Sequence, residues 1–402
     1  MNASTLVRKL PAKRDALAVP GSFVTMFLMG TTVSLLGPSL PDIARRTGVT
    51  LGETGILFTL FGAGSLAATL AMAGLVDRPA RRLLLMGGSA LLAGMLWLAA
   101  RSTTLGGLGA ALALAGFGMS TACIAPNVIL VEAYRSQAPS ALNALHMVAG
   151  IGSFLGPLAI GLVGQRGGDY RAVFLVVAAL EAMVAILWAT ARLPRPQAES
   201  AAPPLRLAEL SPLLIFVVLA MLYDGCEQAF GGWLFAYARQ PGALDVAAAG
   251  ATASLFWLAM IVGRLLATQT VRRAGTLALL VAGVCLGGAG VALVALAGPR
   301  HYILWAATAL TGLAFGPIFP TTLAAGAQVM PERAGVSSSL LIASASAGTM
   351  ILPWATGSLI PTLGVTASIA AIDAPLALML ACLFVLHLRS RSAKCVPVGN
   401  KK

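Results

Sequence analysis

Residues 223–237, YDGCEQAFGGWLFAY, concentrate polar chemistry inside a stretch that is otherwise apolar. Asp224 and Glu227 are three residues apart, while Tyr223 and Glu227, and Asp224 and Gln228, are four apart. On a helix these spacings place all four side chains on one face. Trp233 and Tyr237 follow one turn apart, after Gly231 and Gly232. Carboxyls, a phenol, an amide and an indole on one face suit a hydroxyl-rich ligand, and a carboxyl there can also take up and release a cation. The spacing therefore predicts ligand contacts from Glu227, Trp233 and Tyr237, and ion coupling by Glu227 with Asp224. The competing structural role for the two acids is to cap backbone groups at a helix interruption.

Three further polar residues stand in apolar surroundings. Asn143 and His146 are three apart and share a face with Gly150, and Asn127 directly follows Pro126. A lone buried histidine is more often held by one structural hydrogen bond, yet the pairing with Asn143 makes His146 a candidate for ligand contact. Irregular backbone at membrane depth is tolerated mainly where it lines a cavity, which adds Asn127 to the candidate set. Glu181 and Asp373 are expected either to pair or to lie nearer an interface. Arg264, after Gly263, is expected to snorkel or to latch.

The elements that position these residues follow from composition. A soluble domain is roughly 45–50% apolar and about 25% charged; this chain of 402 residues is 58% hydrophobic and 10% charged. Its mean hydropathy is +0.87. Membrane-spanning helices need about 20 apolar residues each, and such segments tile the sequence at about 19–40, 53–75, 83–100, 106–131, 141–164, 172–191, 212–237, 248–268, 276–297, 303–328, 336–360 and 367–388. The predicted fold is an all-α membrane protein of twelve transmembrane helices. A charged side chain at the bilayer centre costs on the order of 3 kcal/mol on insertion scales, so each acid retained there marks a pathway or coupling role. The basic N-terminal tail leads into an apolar run as long as a full span, and it reads as the first helix of the mature protein.

The charge pattern orients the helices. Of the 27 Lys and Arg residues, only Arg45, Arg46, Arg101, Arg166, Arg171, Arg239 and Arg300 fall in loops opposite the N-terminus, with Arg264 inside a span. The positive-inside rule then places both termini in the cytoplasm. The net charge of +13 is spread over many loops and both tails rather than gathered with aromatics on one face, so nucleic acid is not an expected partner. The cysteines are single and far apart, and the three histidines form no ligand-spaced cluster, so neither disulfide, metal nor cofactor is expected. No Ser, His and acid set is present to suggest an enzyme.

A repeat divides the chain. Gly152, Pro157 and Gly161 recur with the same spacing as Gly348, Pro353 and Gly357; Pro126 is matched by Pro320, and Arg81–Arg82 by Arg272–Arg273. One offset of about half the chain, repeated in order, indicates a duplicated six-helix unit. The expected domains are 1–192 and 212–402, two pseudo-symmetric six-helix bundles. They are joined by a proline-rich cytoplasmic linker at 193–211.

The loop AGLVDRPARR at 73–82 resembles the signature of the major facilitator superfamily, with Ala73 and Ala80 where that signature has glycine. The resemblance implies a conformational latch at Asp77, Arg78 and Arg81, with Arg264 a candidate counterpart in the second half, and secondary transport by alternating access. Within the superfamily, ALNALHMVAGIGSFLGPL (141–158), YDGCEQAFGGWLFAY (223–237) and FWLAMIVGRLL (256–266) are similar to the fucose and glucose permeases. That likeness implies a proton- or sodium-coupled symporter of a sugar-like solute, monomeric in a bacterial inner membrane, with solute, coupling ion and lipid as its partners. The run Gly152, Gly156, Pro157 partly resembles the antiporter signature of drug exporters, which implies a proton-driven efflux antiporter as the alternative.

Overall fold

The computed structural model describes residues 17–72, 81–191, 193, 213–240, 244–330 and 333–394. Among these residues every regular element is helical: α1 Ala18–Thr47, α2 Ile56–Met72, α3 Arg81–Arg101, α4 Leu105–Tyr134, α5 Ala138–Gln165, α6 Tyr170–Thr190, α7 Leu214–Ala238, α8 Val246–Ala274, α9 Thr276–Ala297, α10 His301–Phe315, α11 Ile318–Val329, α12 Ala334–Ala370 and α13 Asp373–Lys394. Among the described residues eleven helices, counting α10 with α11 as one, are long and apolar enough to cross a membrane, and the shorter apolar helix at 373–388 brings the count there to twelve. In hydrocarbon no water is available to a free backbone N–H or C=O, so an apolar chain of this kind satisfies them within helices. Leu70, Val176, Met183, Ile186, Leu296 and Phe384 are large, apolar and exposed, as side chains facing lipid are.

Three boundaries differ from the expectations set by hydropathy alone. The tenth span is interrupted at Gly316–Pro317, because each proline removes an N–H and its ring clashes with the turn before it. The eleventh span runs on to Ala370 across a break at Gly364, whose φ of 76° is left-handed. The twelfth therefore starts at Asp373, so that this acid lies in the first turn of its helix, where the helix dipole favours negative charge.

The chain divides into two compact units, one made of Met1–Ala201 with Leu234–Trp257 and the other of Ala202–Trp233 with Leu258–Lys402. Each is held by helices that approach to backbone contact at glycine. In the first, a Cβ on Gly30 would fall 1.8 Å from the Ala149 carbonyl oxygen, and one on Gly152 would fall 2.0 Å from that of Phe27. In the second, a Cβ on Gly348 would fall 1.8 Å from the Met221 oxygen, and one on Gly225 would fall 2.9 Å from that of Gly348. A second clasp repeats in the same way: Gly64 and Gly116 join α2 to α4, and Gly263 and Gly316 join α8 to the α10–α11 break. Small residues at helix contacts allow the dispersion packing that lipid cannot replace. Of the glycines that recur in the sequence, Gly152 and Gly348 both lie at such contacts.

Candidate substrate and ion-coupling site

In the second unit the polar face of α7 meets the break between α10 and α11. Pro320 has no N–H, so the Gly316 carbonyl one turn earlier lacks its helical donor. Arg264 of α8 supplies one, its Nε donating to Gly316 O at 3.2 Å, with Nη2 3.2 Å from Met260 Sδ. Arg264, expected to snorkel or to latch, turns onto the break, where it donates to that carbonyl. There it is the electrostatic counter-charge to both Asp224 and Glu227.

The Tyr223 oxygen lies 2.6 Å from Glu227 Oε2 and 2.6 Å from Phe315 O, the last carbonyl of α10. Tyr223 is fully buried and Glu227 is 7% exposed. The Phe315 ring meets the Tyr223 ring edge-on at 5.7 Å, and Phe319 stacks on it at 6.5 Å. Helical spacing brings Tyr223 and Glu227 into register, as read from the sequence. Further along α7, the fully buried Trp233 donates its indole N–H to Pro353 O on α12 at 2.8 Å. This bond uses the only donor of the side chain.

The remaining candidates lie at the end of α7 and on other helices. Tyr237, 5% exposed, belongs to the first unit. So do Asn127, whose amide donates to Cys123 O at 3.1 Å, and Asn143 and His146, both exposed on α5. An amide has two N–H donors and a carbonyl, so Asn127 retains hydrogen-bonding capacity beyond that turn. Within the second unit the structure brings together Tyr223, Asp224, Glu227 and Arg264. Glu181, 1% exposed, lies beside Ser89 of α3, and Asp373 faces Gly288 of α9. Each acid therefore faces the third helix of its own half.

Of the latch residues, Asp77 and Arg78 lie outside the described residues. Arg81, only 2% exposed, makes a two-pronged ion pair with Glu132 at the end of α4, with distances of 2.7 and 2.9 Å. Arg82 donates to Trp188 O at 3.2 Å, near the last turn of α6. Sequence reading missed Glu132, for which a lone acid closing the fourth span was the signal. Pro320 marked a bend in the tenth span, and the break at Gly316–Pro317 lies within one turn of it.

An open pocket of about 290 Å³ is lined by Asp42, Arg45, Arg46 and Asp169. Its charges are largely matched, since Arg45 pairs with Asp42 and Arg171 pairs with Asp169.

The profile of the Major Facilitator Superfamily matches residues 22–341. Sodium-dependent glucose transporter 1 of Xenopus laevis is 24% identical over 365 residues, covering 81% of this chain and 72% of that protein. The protein of the same name from Danio rerio is 32% identical over 142 residues, covering 34% of this chain and 23% of its own length. Among solved structures, the nucleoside transporter NupG superposes with a TM-score of 0.74 at 16% identity, over 94% of this chain and 99% of that one. A bacterial homologue of the human lysosomal transporter Spinster, inward-facing and unoccupied, superposes with a TM-score of 0.71 at 15% identity, over 93% and 97%.

Proposed function

The chain belongs to the major facilitator superfamily, and from that premise we propose that it is a secondary active transporter coupling a sugar-like solute to a cation by symport. The observation that carries this reading is the buried cluster of Tyr223, Glu227 and Arg264 against a broken helix. Ionisable groups persist in an apolar helix bundle at a cost that function offsets. The relatives named for sodium-dependent glucose transport support the choice of solute.

In this reading Glu227 and Asp224 couple to the ion, while Asn127, Asn143, His146, Trp233 and Tyr237 contact the solute together with Glu227. Trp233, its indole N–H held by Pro353, contributes an apolar wall. The bundles 1–192 and 212–402 alternate access, with Asp77, Arg78, Arg81 and Arg264 latching their ends. The protein works as a monomer in a bacterial inner membrane, both termini cytoplasmic. The family is one of membrane transporters, which supports this reading.

Uptake of radiolabelled D-glucose into vesicles reconstituted with the purified chain tests this. Accumulation under an inward proton or sodium gradient, lost when that gradient is collapsed, is the expected result. Glu227→Gln is expected to lose gradient-driven accumulation yet keep exchange of labelled for unlabelled sugar. Uptake that neither gradient drives would sink the symport reading. The surviving alternative would be a proton-driven antiporter that exports a drug or metabolite, the reading favoured by Gly152, Gly156 and Pro157.

A further inference from the structure

A phenol has one proton to donate, yet the Tyr223 oxygen sits 2.6 Å from two acceptor oxygens, Glu227 Oε2 and Phe315 O. If Glu227 is ionised, the phenol satisfies one of them and two oxygens face each other at 2.6 Å with no proton between. If Glu227 is protonated, every group is matched: Oε2–H donates to the Tyr223 oxygen, and Tyr223 O–H donates to Phe315 O. Both distances fall at the short end of the O–H···O range, as a continuous donor chain requires.

The surroundings favour a proton over a metal cation. At 2.6 Å the three oxygens leave no gap for an ion between them, and the neighbouring charge is the Arg264 guanidinium. A metal cation has no room between these oxygens, whereas a proton adds no volume.

Resting on the reading of Glu227 as the ion-coupling group, we propose that Glu227, Tyr223 and the Phe315 carbonyl form a proton-gated brace: a proton on Glu227, not a sodium ion, ties α7 to the α10–α11 break. The titratable and charged groups facing Glu227 are Tyr223 and Asp224 of its own helix and Arg264 of α8. The α10–α11 break presents the Phe315 carbonyl and the rings of Phe315 and Phe319. When Glu227 releases its proton to water, the Tyr223 O–H turns from Phe315 O to the carboxylate. Phe315 O then loses the Tyr223 hydrogen bond. The new carboxylate also competes with Gly316 O for Arg264, so both carbonyls at the break loosen in one step. Tyr223 acts here as a positioning residue, and it converts a protonation change on α7 into a backbone change in the tenth span.

The test uses the full chain reconstituted in lipid, with inorganic ions alone and no solute. Infrared difference spectra between alkaline and acid buffer are expected to show a protonated-carboxyl stretch that Glu227→Gln lacks. At fixed pH the band should be the same in sodium chloride as in choline chloride. In Tyr223→Phe it should move to higher frequency, because the carboxyl has lost its acceptor. Hydrogen exchange over 313–321 at alkaline pH should be several-fold faster in the native chain than in Glu227→Gln, whose amide keeps donating. Absence of a Glu227 band, its removal by sodium, or equal exchange in the two chains overturns the brace. If Tyr223→Phe does not fold, the isosteric Glu227→Gln decides the matter alone. These readings need no transported solute, so failure of D-glucose uptake counts only against the symport reading, and loss of the band only against the brace.

Discussion

Arg81 and Glu132 join the start of α3 to the end of α4 through two parallel hydrogen bonds, with the guanidinium only 2% exposed. Breaking a buried pair by removing one partner leaves a desolvated charge and costs about 3–5 kcal/mol. Glu132→Gln is therefore expected to lower the unfolding midpoint in detergent clearly. Adding Arg81→Met to that variant should restore part of the loss, because the stranded charge is gone. A double variant no more stable than Glu132→Gln would show that the guanidinium is held by something other than this pair.

The glycine clasps give a sharper contrast. A Cβ at Gly348 would fall 1.8 Å from the Met221 carbonyl oxygen, whereas one at Gly94 would meet nothing within 4 Å. Gly348→Ala has to push α12 away from α7, and overpacking of this kind costs typically about 1–3 kcal/mol or more. Gly94→Ala should instead be neutral or stabilise its helix by up to about 1 kcal/mol, since alanine is the better helix former. Thermal unfolding of the two variants side by side measures the difference, and equal midpoints would contradict the clasp.

Asp169 predicts a pH-dependent effect. Burial by itself would raise this carboxyl, but hydrogen bonds from the Arg171 side chain and backbone N–H hold it below its ordinary value of 3.8. The carboxylate caps α6, accepting from Arg171 N at 3.0 Å, and loss of such a cap costs about 1 kcal/mol. A group whose folded-state pKa is depressed contributes stability that is present above the unfolded value and lost as pH falls through the folded one. Asp169→Ala should thus be less stable than the native chain at neutral pH, and the gap should narrow below about pH 4. A gap that stays constant through acid would exclude the carboxylate as its source.

The charge distribution predicts topology. Reporters fused after residue 205 and at the C-terminus should both behave as cytoplasmic, and one fused after residue 242 as external, because basic residues are retained inside. An external C-terminus would rule out twelve spans.

Much of this molecule was legible in the sequence because membrane helices obey local rules. An apolar run of the right length has no other stable form in lipid, so the helices and their order follow from hydropathy. The duplication follows from recurring glycines and prolines, and the shared face of Tyr223 and Glu227 follows from helical spacing alone. What local rules do not carry is the partner across the bundle. Hydropathy reads through Gly316–Pro317 as one span, since both neighbours of the break are apolar. The break becomes visible only when Pro317 and Pro320 are counted as missing donors. Arg264 stands along the chain as an isolated cation on α8; which carbonyl it reaches depends on how α8 packs against the tenth span at Gly263 and Gly316. Glu132 is likewise an ordinary acid at a helix end until α3 brings Arg81 beside it. Sequence by itself determined the helices, their repeat and which side chains share a face. Tertiary structure decided which orphaned backbone groups those side chains satisfy, because a hydrogen bond between helices depends on distances that no residue encodes alone.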